Sequence, residues 1–127
     1  MLNGMIKLLD VTTERQTLVD YIRQATVAET LDELIRKNSC DWIEQELIPR
    51  AIVSKLILTL ANTKHPESQR IASKALMSLS HKLPDKTDTI ERALGPLATH
   101  WRSDPENVHE KIDEIIADAL MNNDLTI

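Results

Sequence analysis

Few residues in this chain have the reach to do chemistry. There is one thiol, Cys40, and there are four histidines, His65, His81, His100 and His109. The run Glu106-Asn107-Val108-His109 sets a carboxylate and an imidazole three residues apart. On a helix that spacing puts both on one face, as in di-iron bundles. Such a bundle needs two Glu-x-x-His motifs and two further inward glutamates, and this chain has one such motif. Val108 and Ile112 take the apolar face, so the expectation is a solvated row of Glu106, His109, Glu110, Asp113 and Glu114 that binds no metal. Cys40 as a nucleophile would need a neighbouring base; a buried or partly buried structural thiol is expected. His65 reads as a loop residue or cap beside Pro66, His81 as a C-terminal helix residue favoured by the dipole, and His100 as core packing beside Trp101. There is no Gly-rich phosphate loop and no nucleophile elbow. No catalytic residue, cofactor site or metal site is expected.

The second chemical feature is charge. Arg50, Lys55, Lys64, Arg70, Lys74, Lys82 and Lys86 fall in one stretch. From Leu47 to Lys86 there are 7 Lys/Arg against 2 Asp/Glu. From Met1 to Glu46 the count is 5 against 9, and from Asp104 to Ile127 it is 1 against 7. A basic middle therefore lies between acidic ends, within a formal net charge of −5. The simpler explanation is internal compensation, with an acidic C-terminal helix packed beside the basic segment. The other is contact with a phosphate backbone. Arg70 and Lys74 are one turn apart, and a line of positive charge can follow such a backbone. No aromatics are interleaved to stack bases, so that contact would ignore sequence.

These residues need elements to carry them. Of the 127 residues, 42% are apolar but only 2% aromatic, with no Phe and 2 Gly. A core of Leu, Ile, Val, Ala and Met with little glycine for β-turns points to an all-α protein. The stretch from Asp41 to Leu83 holds two apolar stripes of helical period. Ile48, Ile52, Leu56, Ile57 and Leu60 form the first; Ile71, Ala72, Ala75, Leu76 and Leu79 form the second. The polar loop 62–65 joins them into a helical hairpin, the expected centre of the core.

Around it, Thr13-x-x-Gln16, Thr26-x-x-Glu29, Asp41-x-x-Glu44 and Ser103-x-x-Glu106 fit capping boxes, the last being the clearest helix start. Leu18, Val19 and Ile22, then Leu31, Leu34 and Ile35, predict buried stripes that end at Asn38. Pro49 predicts a kink or a break with Pro49 opening the second helix. Pro66 opens the hairpin's second arm and Leu83-Pro84 closes it. Thr87 or Asp88 starts a further helix that Gly95-Pro96 breaks, and a short turn follows with Leu97 and Trp101. The final helix is expected to bury Val108, Ile112, Ile115, Ile116, Ala119 and Leu120. The expected architecture is a compact single-domain bundle of about six or seven helices over residues 1–127, with 1–12 as a docking arm and 122–127 as a frayed tail.

Within residues 58–80, Pro66, Glu67, Arg70, Ala72, Ala75, Leu76 and Leu79 resemble the second helix of a HEAT or armadillo repeat, in which small alanines let two antiparallel helices approach closely. No second copy is present, and solenoids need about three. The resemblance thus implies one repeat-like hairpin inside a bundle.

The lone cysteine excludes an internal disulfide and suggests a reducing, cytoplasmic setting. No apolar run is long enough to span a membrane, and the run before Asp10 is too short for a signal sequence. The function these features favour is a non-enzymatic helical module that binds a protein partner or itself, as an adaptor or assembly subunit. Trp42 and Trp101 are the candidate interface aromatics, one expected in the core and the other in a partly exposed contact. The alternative is a small helical subunit of a nucleoprotein complex, by analogy with those of CRISPR surveillance complexes, touching phosphates through residues 50–86.

Overall fold

The computed structural model describes Gly4, Ile6 and residues 18–122. Seven α-helices lie among them, with no strand. They are α1 (Leu18–Lys37), α2 (Cys40–Glu46), α3 (Ile52–Leu60), α4 (Pro66–Lys82), α5 (Thr87–Leu94), α6 (Ala98–Ser103) and α7 (Glu114–Met121). Short 3₁₀ turns intervene at Ile48–Arg50, Pro84–Lys86, Gly95–Leu97 and Val108–Lys111.

Helix α4 is the hub. Pro66 opens it, where a missing N–H costs nothing, and the extended Leu83 before Pro84 closes it. Nine of its residues are buried, on more than one side of the helix. It packs most extensively on α1 and also on α3, α5 and the 3₁₀ turn Val108–Lys111. Ser78 Oγ donates to the Asp32 carboxylate at 2.5 Å and Lys82 Nζ to the Asn38 carbonyl at 3.1 Å. The first pair joins the later halves of α1 and α4 and the second joins the residue after α1 to the last residue of α4, so these two helices run the same way. The α3–α4 pair is the expected hairpin. Its connection is fastened by Gln69 Nε2 donating to the Leu60 carbonyl at 2.8 Å, and by Asn62 Nδ2 donating to Gln24 Oε1 at 3.0 Å. Gln24 and Gln69 are both buried, so these amides satisfy groups that water cannot reach.

Several expectations need correction. Thr26-x-x-Glu29 starts nothing: α1 runs through it, and the Thr30 hydroxyl bonds back to the Thr26 carbonyl. Its buried stripe is Val27, Ala28, Leu31 and Ile35, which leaves Ile22 on the outer side at 53% exposure. The cap of α2 is Ser39, whose hydroxyl accepts from the Trp42 amide at 3.2 Å; Asp41 lies in the first turn. Pro49 does break the helix, but it sits in a 3₁₀ turn, and Ala51 in left-handed conformation (φ 58°) precedes α3.

The largest difference is at Ser103. Residues 104–112 form turns and a 3₁₀ segment, and the last α-helix begins only at Glu114, capped by Asp113, whose carboxylate accepts from the Ile116 amide at 2.9 Å. Asp104 precedes a proline and is extended (φ −150°, ψ 77°), which stops the helix forming there. In consequence α7 buries Ala117 and Leu120, while Ile115 and Ala119 face outward.

Asn38 caps α1 as expected, its amide donating to the Leu34 carbonyl at 2.8 Å. Ile6, from the proposed arm, is buried in the core. The rest of that arm, the Thr13-x-x-Gln16 cap and residues 123–127 of the tail lie outside the described residues, as do the side chains of Leu18 and Val19.

Candidate interaction surfaces

The seven cations do not form one open row. Arg50 pairs with Glu46 at 3.1 Å, one turn back on the chain. Lys82 is spent on the Asn38 carbonyl. Arg70 pairs with Glu67, and the hydrogen-bonding guanidinium holds the Glu67 carboxyl below the usual carboxylate range. The same bond raises Arg70 above its ordinary value. Glu106 then reaches across from the 104–112 segment, with one carboxylate oxygen 3.4 Å from Lys74 Nζ and 3.9 Å from Arg70 Nη1. This is the acidic-on-basic compensation expected from the charge pattern, delivered by an irregular strap and not by a helix. Lys55 also has an interaction within the structure. Lys64, in the exposed loop, and Lys86, half-buried in the 3₁₀ turn Pro84–Lys86, make no ion pair among the described residues.

Glu106 and His109 do not share a helical face. Glu106 lies in a turn and points to α4, whereas His109 lies in the 3₁₀ segment with its Nδ1 buried and unbonded. Cys40 is exposed, contrary to expectation, because it opens α2 at the surface; its Sγ donates to the Lys82 carbonyl at 3.0 Å. His65 is the N-cap residue of α4, its Nδ1 2.6 Å from the Ser68 hydroxyl. His81 is exposed in the last turn of α4. His100 is exposed too, so it is not core.

Trp101 is fully buried on α6, its indole N–H donating to the Ser73 carbonyl at 3.1 Å, and is therefore no interface residue. Trp42 is half-buried against the core, so of the two tryptophans it is the one with surface to offer.

A cleft of about 380 Å³ is lined by His100, Ser103, Asp104, Asn107, Val108, Glu110 and Lys111. Three of its polar side chains are engaged locally: Asn107 donates to the Asp104 carboxylate at 2.9 Å, and the Ser103 hydroxyl donates to the Thr99 and His100 carbonyls.

The feature that sequence reasoning missed is the outward face of α7. Ile115 is 80% exposed, with Met121 also exposed on the same helix and Leu58 on α3, against which α7 packs. The misplaced helix start hid it, since counting from Ser103 puts Ile115 on the buried side. No helix among the described residues is long and apolar enough to cross a membrane. No family model matches the chain, and no solved structure matches it.

Proposed function

We propose that this protein is a non-enzymatic helical interaction module that binds a protein partner or itself, acting in the cytoplasm as an adaptor or assembly subunit. The observation that carries the reading is Ile115. Among the described isoleucines it is the most exposed, at 80% against 53% for Ile22, and it stands on a helix whose opposite face is seated on the core. Covering such a side chain is worth roughly 1.5–3 kcal/mol. A partner is what would recover that energy. The HEAT- or armadillo-like character of the α3–α4 hairpin belongs to the same proposal, since such hairpins serve as scaffolds for partner surfaces.

The phosphate-binding subunit is the second reading. It is favoured by the clustering of seven cations between residues 50 and 86. It is weakened because Arg50, Arg70, Lys74 and Lys82 already have partners.

Native mass spectrometry of the chain purified from its own cells tests the first reading. It should show a protein partner, or a second copy, at fixed stoichiometry. A chain that stays alone at cellular concentration and turns over a small molecule would overturn it.

A further inference from the structure

We infer that the outer face of α7 docks a cationic, apolar helical segment of a partner protein; this rests on the reading of the chain as an interaction module and adds the site and the chemistry of its occupant. At about 100° per residue, Ile115, Ala119 and Asn122 form one row on the solvent side, and Glu114 and Asp118 form the row beside it. All five are exposed, and exposed Met121 lies beyond the acidic row. The opposite side is fixed to the core through Ala117 and Leu120. The face thus runs from apolar Ile115 and Ala119, with the polar cap residue Asn122 at the end of their row, across the acidic row to apolar Met121, on a helix that cannot turn over to hide it.

Its charge selects the occupant. No Lys or Arg occurs from Ile112 to Asn122. Asp113 commits its carboxylate to the cap of its own helix. Glu114 and Asp118, one turn apart, make no ion pair among the described residues. Asp32, Glu46, Glu67, Glu91 and Glu106 each have a cation within the chain, while exposed Glu33, Asp41 and Asp85 have none among the described residues; Glu114 and Asp118 differ in lying beside exposed Ile115 on a helix with no cation of its own. A second copy packed on this face about a two-fold axis would set Glu114 and Asp118 against their own images, like charge against like. A partner helix with Lys or Arg between leucine-type side chains fits instead. Its cations meet the acidic row and its apolar groups cover Ile115, Ala119 and Met121, the helix-to-helix mode read through spaced apolar anchors.

The test uses the full chain and two short fluorescent helical peptides, one of leucine and lysine and one of leucine and glutamate. Fluorescence anisotropy should show binding of the lysine peptide alone. Ile115→Ser should weaken it about tenfold or more, with an unchanged melting temperature because the residue is exposed. Glu114→Gln with Asp118→Asn should weaken it as well and flatten its salt dependence. Equal binding by wild type and Ile115→Ser, or equal binding of both peptides, would overturn the proposal. So would concentration-dependent self-association that Ile115→Ser abolishes, which would assign the face to a second copy. If the site fails in these assays while native mass spectrometry still shows a stoichiometric complex, this face is refuted and the interaction module stands.

Discussion

The indole nitrogen of Trp101 donates to the main-chain oxygen of Ser73 at 3.1 Å, and both residues are fully shielded from solvent. The bond ties α6 to the middle of α4. Trp101→Ala removes the largest buried side chain as well as the bond, and should cost about 3–5 kcal/mol of unfolding free energy. The Ser73 hydroxyl itself is buried with no hydrogen-bond partner. Ser73→Ala should therefore stabilise the protein, by about 1 kcal/mol. Urea unfolding of both variants checks the pair, and a destabilised Ser73→Ala would contradict the assignment.

Among the described residues, two backbone positions have positive φ and opposite needs. Ala51 holds a left-handed conformation (φ 58°, ψ 40°) in which its Cβ is a liability. Gly95 holds φ 60°, ψ −129°, a region open essentially to glycine. Ala51→Gly should raise stability by up to about 1 kcal/mol. Gly95→Ala should lower it by about 1–3 kcal/mol, although no atom lies within 4 Å of the added methyl. Thermal melts of the two variants should move in opposite directions.

Gln69 reaches back to satisfy the Leu60 carbonyl at the end of α3. Gln69→Ala strands a buried acceptor and should cost about 1–3 kcal/mol. Hydrogen exchange of the 61–65 loop amides should rise in the same variant.

The Glu67 carboxyl is lowered from its ordinary value of 4.5, first by the Arg70 hydrogen bond. With a folded pKa below the unfolded one, its stabilisation is fully present above about pH 4.5. It is lost as pH falls through the lowered folded value. Both side chains are largely in water, so the effect is under about 1 kcal/mol. Glu67→Gln should flatten the acid side of the stability–pH curve without altering stability above pH 6 by more than that amount.

Arg70→Glu with Lys74→Glu sets two repulsions against Glu106. Stability should fall by about 1 kcal/mol or less per exposed pair. Oligonucleotide binding, measured beside it, decides the second functional reading. Steeply salt-dependent binding by the wild type that this variant abolishes would promote the phosphate-binding role.

The limits of α4, α5 and the hairpin loop were legible because each is punctuated by a residue with a hard backbone constraint: Pro66, Pro84 and Gly95. The alanine and leucine stripe of α4 then stated its buried face directly. Capping boxes were a poorer guide. Thr26 and Glu29 satisfy the pattern in the middle of a continuous helix, where the Thr26 carbonyl accepts from the Thr30 hydroxyl one turn on. At Ser103 the pattern was overruled by the proline two residues on. Helical phase does not survive such a break, so the face of α7 could not be counted across residues 104–112. The pairing of Glu106 with Lys74 was visible only as a charge balance, since no local rule says which acid crosses to which cation.

The enclosure of α4 by α1, α3, α5 and the 3₁₀ turn Val108–Lys111 has a consequence in time. A helix covered on several sides cannot open without releasing every neighbour. Its central amides, from Ala72 to Leu79, should exchange with solvent deuterium only through global unfolding, at the slowest rates in the molecule. The 104–112 strap has no α-helix and is held by the Glu106 ion pairs and by buried Val108 and Ile112, so it should lift before α4 opens. Its amides should exchange orders of magnitude sooner, so the chain should open at this strap long before its centre does.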